Sequence, residues 1–133
     1  MDGLILEVIL SVLFLSIGSA LGAILRMIIL EKLEKKYRNT FLGIYCINTF
    51  STFLLGYIIA LENANYSIID NQQFLLFFKI GFLGSFSTFS SFIFEIILNY
   101  KQRKYYQSFY LSFFSVISSI ISGFIGYKIV YAS

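Results

Sequence analysis

Residues 74–98 read FLLFFKIGFLGSFSTFSSFIFEIIL. This stretch is apolar over a length that crosses about 30 Å of hydrocarbon at 1.5 Å per residue, so it predicts a membrane-spanning helix. Its centre, from Gly81 to Phe92, holds two glycines and a run of hydroxyl residues, which propagate a helix poorly. Irregular backbone at membrane depth needs protein or water to satisfy its polar groups, and it offers carbonyls suited to ion binding. The stretch therefore predicts a transmembrane helix that is broken near mid-membrane.

Three further apolar stretches have similar lengths, at about residues 4–30, 41–61 and 108–131. A membrane barrel would need alternating segments of about ten residues, so these unbroken stretches favour helices. The first is too long for a cleaved signal peptide. Residues 1–133 are therefore predicted to form one all-α integral membrane domain of four transmembrane helices, the third of them at about 74–98.

The composition agrees with a lipid environment, because 58% of the residues are hydrophobic and 13% are charged, against about a quarter in soluble domains. The chain has no histidine and a single cysteine, Cys46. One chain therefore cannot build a disulfide, a Cys/His zinc site or a histidine-based triad, and an enzyme is the least favoured class. A net charge of +3, spread along the chain, gives no indication of nucleic-acid binding.

The positive charges divide unevenly between the two sides of the membrane. Seven of the ten Lys and Arg residues lie in or beside the loops at 31–39 and 99–107, whereas only Lys79 and Lys128 lie near helix ends on the other side. The positive-inside rule then places both loops in the cytoplasm and both termini outside. The sequence predicts a multi-pass protein of the cell membrane that inserts in one direction.

Polar residues within the other spans have two interpretations each. Asn48 and Thr52 lie one turn apart on the second span, so their face contacts protein or water, either as interhelical glue or as part of an ion path. Arg26, at the end of the first span, either snorkels to the interface or reaches an aqueous cavity. The fourth span carries a stripe that is either a packing seam or a ladder of donors for an anion. The stripe consists of Ser112, Ser115, Ser119, Ser122 and Gly126.

Phenylalanines recur every three residues at Phe86, Phe89 and Phe92, among hydroxyl residues rather than in a purely apolar setting. The edge of a phenyl ring carries positive quadrupole character. Rings presented edge-on therefore favour a small anion.

Three motifs resemble those of the Fluc (CrcB) family of small fluoride channels. Residues 18–26, GSALGAILR, resemble the family's GGxxGAxxR signature, and residues 43–56 are similar to its GTLxxNxxGxFxxG pattern. Residues 81–92, GFLGSFSTFSSF, resemble GFxGxxTTFSTF, the most specific of the three. The resemblance covers essentially the whole chain and implies an antiparallel dimer with two narrow pores that pass fluoride.

The resemblance also implies roles for individual residues. Gly84 and Ser87 match positions whose backbone carbonyls hold a structural Na⁺ ion at the dimer interface, and Glu95 fits an acidic residue beyond the phenylalanines. The residues that match the fluoride pore are Phe89, Phe92, Asn48, Ser115, Ser119 and Arg26.

The chain departs from the family patterns at several positions. Ser19 replaces a glycine of the first motif, and Ser51 replaces the middle glycine of the second. Ile44 stands where the family has threonine, which removes a hydroxyl near the pore. Leu111 occupies the place of a tyrosine four residues before Ser115. These departures alter one pore lining rather than the class of protein.

Two alternatives to a fluoride channel follow from the sequence. A small multidrug exporter also has four helices, but it needs a glutamate deep in the first span, and Glu7 lies only about a turn into it. An accessory membrane protein would leave the third-span motif as packing alone. The partner is a homologous subunit of opposite orientation, as the charge bias predicts, or a second copy of the chain if that bias is overridden.

Overall fold

The computed structural model describes residues 2–37, 40–64 and 72–132. Within them, four helical segments are long and apolar enough to cross a membrane, which confirms the all-helical, four-span prediction. The third segment, Gln72–Lys101, is composite. The elements in chain order are α1 (Asp2–Tyr37), α2 (Thr40–Asn63), α3 (Gln72–Leu75), a π-helix (Leu76–Phe82), α4 (Leu83–Phe86), α5 (Phe89–Lys101) and α6 (Tyr105–Ala132).

Helix α1 continues to Tyr37, beyond the apolar stretch that ends near Leu30. Its 36 residues extend over roughly 54 Å, more than the thickness of the hydrocarbon, so its charged end projects past the lipid. The Lys35 ammonium lies 2.6 Å from the Glu31 carboxylate, an i,i+4 pair that favours helix over loop. Part of the predicted cytoplasmic loop is therefore helical, and Arg38, which was counted in that loop, lies outside the described residues.

Among the described residues, helices α2 and α6 share the most extensive contact between two elements. A Cβ atom on Gly56 would overlap the Gly123 carbonyl oxygen, and one on Gly126 would overlap the Phe53 carbonyl oxygen. The two backbones therefore approach to a distance that only glycine allows, as in other small-residue contacts between membrane helices. Part of the small-residue stripe of α6 is thus a packing seam, one of its two predicted interpretations.

Helix α1 packs along the π-helix and α4. A Cβ atom on Gly22 would overlap the Phe82 carbonyl oxygen and Ser85 Oγ. Ser85 Oγ donates instead to the Ser19 carbonyl at 2.8 Å, so a hydrogen bond joins the two segments where they are closest. Gly18 and Gly22 of the first motif and Gly81 of the third lie where the two backbones are closest, and they fix the position of the third span against α1.

An ion pair joins α2 to the third span at the end that holds the α2 C-terminus. Lys79 Nζ, on the π-helix, donates to Glu62 Oε2 at 2.6 Å, and both side chains are only partly exposed. Few side chains are buried within the single chain, and most large apolar residues of α1 and α6 are exposed. Exposed apolar surface of this extent is the expected surface toward lipid or toward another membrane helix.

Substitution of Gly126 by alanine tests the α2–α6 contact. We expect Gly126→Ala to lower the free energy of unfolding by about 1–3 kcal/mol, because the added methyl group forces the two backbones apart. The measurement is thermal unfolding in detergent, with Gly3→Ala as the control because no atom lies within 4 Å of that Cβ position. Equal stability of the two variants would contradict the close contact.

Candidate functional site

The third span changes backbone conformation between α4 and α5. Ser87 has φ −73° and ψ 146°, and Thr88 has φ −141° and ψ 116°, so both residues are extended. Thr88 also caps α5, since its Oγ1 accepts a hydrogen bond from the Ser91 N–H at 3.3 Å. The two extended residues lie within the glycine- and hydroxyl-rich stretch from Gly81 to Phe92, where helix propensity is low.

The side chain of Asn48 holds the backbone of Thr88. Its Oδ1 accepts from the Thr88 N–H at 3.0 Å, and its Nδ2 donates to the Thr88 carbonyl at 3.4 Å. The amide thus satisfies both main-chain groups of a buried residue that has left the helix. This pairing fixes the orientation of the amide and leaves one Nδ2 hydrogen for another acceptor.

A groove of about 300 Å³ opens beside this contact, between α2, the α4–α5 junction and α6. It brings together five of the six residues predicted for the pore, and the extended residue Ser87 lies at its wall. Phe89 is 75% exposed and Phe92 only 7%, with their ring centroids 6.2 Å apart and the rings tilted by 41°. The five predicted residues are Asn48, Phe89, Phe92, Ser115 and Ser119.

The serines of α6 divide into two groups. Ser112 and Ser118 donate to carbonyls of their own helix, and Ser122 Oγ donates to the Thr49 carbonyl at 2.9 Å. Ser115 and Ser119 instead line the groove, and in the part of the chain that the structure describes their hydroxyls have no hydrogen-bond partner. The α6 stripe is therefore a seam at some positions and a source of free hydroxyls at two others.

The structure does not bring Arg26 to the groove. Arg26 lines a separate cavity of about 580 Å³, together with Glu31, Glu34 and Ser91. Glu95 lines a third cavity, of about 610 Å³, which shares Glu34 and Ser91 with the cavity of Arg26. The ionisable residues singled out in the sequence thus lie outside the groove, whose lining is uncharged.

One residue of this region, Thr88, was given no role by the sequence, whereas Thr52 was predicted to share the face of Asn48. Thr88 is the partner of Asn48 and the cap of α5, and Thr52 lines the groove one turn along α2 from Asn48. The cap had a weak signal, a threonine directly before an apolar helix, whereas the pairing with Asn48 joins positions 40 residues apart and has no local signature.

The family comparison agrees with the motifs. A family profile described as CrcB-like protein, Camphor Resistance (CrcB), matches residues 13–127. The chain belongs to the CrcB family. The resemblance inferred from the three motifs is thereby confirmed, and this CrcB chain is a multi-pass membrane protein.

Individual relatives of this CrcB chain carry names that describe fluoride channels. FluC 2 of Prochlorococcus marinus strain MIT 9312, a fluoride-specific ion channel, is 34% identical over 113 residues, which cover 85% of this chain and 88% of that protein. FluC of Gloeothece citriformis is 31% identical over 122 residues, covering 91% of this chain and 97% of that one. FluC of Acinetobacter baylyi is 37% identical over 95 residues, covering 71% and 73%.

Substitution of Asn48 tests its hold on Thr88. In Asn48→Ala, the buried main-chain groups of Thr88 lose their partners, which costs about 1–3 kcal/mol, so we expect the Thr88 amide hydrogen to exchange roughly tenfold faster or more. Hydrogen exchange followed by mass spectrometry measures this rate. Cys46→Ala, at an exposed position of the same helix, is the matched control, and unchanged exchange in Asn48→Ala would refute the contact.

Proposed function

We propose that this chain forms a fluoride channel that lets fluoride leave the cytoplasm passively and so lowers its toxicity. The observation that carries the proposal is the convergence, in a CrcB chain, of the Asn48 amide, two serine hydroxyls and two phenyl rings on one uncharged groove. The relatives named as fluoride-specific ion channels support the same function. A channel of this kind is not an enzyme, and no covalent step is required.

The chemistry of the groove suits a small, strongly hydrated anion. Fluoride gives up its water only where hydrogen-bond donors replace it, and carbonyls or carboxylates cannot do so. The free hydroxyls of Ser115 and Ser119 and the remaining Nδ2 hydrogen of Asn48 are such donors. The edges of Phe89 and Phe92 add weak positive charge without a strong hydrogen bond. A site of weak donors allows an ion to bind and also to leave.

The direction of transport follows from acid–base chemistry. Hydrogen fluoride crosses lipid from acidic surroundings and dissociates inside the cell, where fluoride accumulates. A passive channel is sufficient to release it. Proton coupling, as in a multidrug exporter, would need a carboxylate deep in the first span, but Glu7 lies near the start of α1 in a cavity with Gln72 and Gln73.

We also propose that two such chains pair in antiparallel fashion and that each breaks its third helix near mid-membrane. In the single chain the groove is open along one side, and Phe89 is largely exposed. A second subunit placed against this face would enclose the groove and exclude lipid from its hydroxyls. The extended residues Ser87 and Thr88 would then lie at membrane depth, where protein must surround them.

The backbone carbonyls of Gly84 and Ser87, proposed to bind a structural Na⁺ ion, are chemically suited to that ion. In a continuous helix the Gly84 carbonyl would accept from the Thr88 N–H, and the Ser87 carbonyl from the Ser91 N–H. Both N–H groups are diverted, the first to Asn48 Oδ1 and the second to Thr88 Oγ1. The two carbonyls are thereby released from helical bonds, and oxygen is the ligand that hard cations prefer. A bound cation between two subunits would offset part of the cost of an anion nearby.

Fluoride efflux from liposomes tests the proposed function. We expect the purified chain, alone or with a homologous partner, to release fluoride and retain chloride, and Phe89→Ile to lower the fluoride flux about tenfold, because a lost ring-edge contribution of roughly 1.4 kcal/mol changes a rate by that factor. Phe113→Ile is the control, since Phe113 is similarly exposed but does not line the groove. Flux no greater than that of empty liposomes under both conditions would reject the channel.

The orientation of the chain has its own test. The uneven loop charges support a single direction of insertion, with residues 31–39 and 99–107 in the cytoplasm and a homologous subunit of opposite orientation as the partner. We therefore expect a reporter fused to the C-terminus to give signal from the outer side only. Equal signal from both sides would instead indicate a homodimer of chains inserted in both directions.

A further inference from the structure

A buried apolar cluster lies at one end of the groove. It consists of Phe41, Ile44 and Phe92, which we call the apolar septum. Ile44 is the most deeply buried of the three, at 1% exposure, and the rings of Phe41 and Phe92 lie 6.4 Å apart. Leu30 and Leu111 pack against the cluster from outside. Tyr45, Ile93 and Ile96 also pack against it.

The septum has a cavity on each side. Phe92 lines the groove that holds Asn48, whereas Ile44 lines the cavity of about 610 Å³ that holds Ser90, Ser91 and Glu95. Among the described residues the two cavities share no lining residue, although Phe92 and Ile44 belong to one cluster. The septum is thus the wall between two spaces that each contain polar side chains.

Ile44 also lies on the line that continues the groove along α2. Ile44 and Asn48 are four residues apart on one face of the helix, a separation of about 6 Å along its axis. An ion that moves along this face of α2 from Asn48 toward the cavity of Glu95 therefore passes Ile44. At this level the side chains of Ile44 and Phe41 offer no N–H or O–H group.

We propose that the septum, with Ile44 at its centre, is the barrier that limits anion passage between the groove and the cavity of Glu95. The proposal rests on fluoride conduction by this chain, and it assigns the slow step to one place. An apolar constriction excludes water, and an anion that enters it loses hydration without gaining a donor. A threonine at position 44 would supply that donor, with the loss of one methyl-sized group from the side chain.

The test is fluoride and chloride efflux from liposomes that contain the full-length protein or its Ile44→Thr variant. We expect Ile44→Thr to raise the fluoride flux roughly tenfold. A hydrogen bond to an ion at the barrier lowers the free energy of the barrier by about 1.4 kcal/mol, which corresponds to a tenfold change in rate. Chloride flux should not rise in parallel. Leu111→Thr, which places a hydroxyl beside the same cluster, should change fluoride flux in the same direction and serves if Ile44→Thr does not elute as a folded protein.

Two matched controls separate a donor effect from a general effect on packing. Ile44→Val has the shape of Ile44→Thr without its hydroxyl, so a donor effect should make Ile44→Thr conduct fluoride several-fold faster than Ile44→Val. Ile58→Thr makes the same chemical change at another buried position of α2 and should not raise flux. If the wild type conducts fluoride but Ile44→Thr is no faster, the septum is not the barrier. The same conclusion follows if the chloride flux of Ile44→Thr rises as much as its fluoride flux. Absence of wild-type flux would instead overturn the proposed function itself.

Discussion

The hydrogen-bonded pairing between the Asn48 amide and the backbone of Thr88 is the contact on which the rest of this site depends. Two extended residues within an apolar span leave main-chain groups that lipid cannot satisfy, and each such group costs several kcal/mol in hydrocarbon. Asn48 supplies both an acceptor and a donor to one of those residues. Thr88 in turn caps α5 and directs its first turn, which carries Phe89 and Phe92. The position of the rings therefore depends on one side chain of α2.

The same pairing shows what could and could not be predicted from the sequence. Four apolar stretches of sufficient length predicted four spans, because hydropathy and length alone decide that question in a membrane. Asn48 was recognised as unusual in hydrocarbon, but its partner was not, since a contact across 40 residues depends on how α2 packs against the third span. The π-helix at Leu76–Phe82 was not predicted either, and it lies where the third span packs closely against Gly18 and Gly22 of α1.

The α6 stripe illustrates a second limit on sequence reasoning. A spacing of three or four residues places the serines on one face, but it cannot decide whether a hydroxyl bonds its own helix or remains free. In the structure, the bonding of each serine depends on what lies next to it. Ser122 meets the Thr49 carbonyl where the glycines bring α2 close, whereas Ser115 and Ser119 face the groove. One small-residue face of α6 therefore packs closely against α2 at one level and leaves free hydroxyls at another.

The separation of charge from the groove has a consequence for conduction. Arg26, Glu34 and Glu95 all lie in the cavities beyond the septum, so the groove has only neutral donors and ring edges. A fixed cation beside a fluoride ion in a dry site would hold it strongly, because Coulomb attraction grows as the dielectric constant falls. Passage requires binding strong enough to replace water but weak enough to permit release. Neutral hydroxyls and one amide hydrogen satisfy both conditions, so the groove needs no fixed charge of its own.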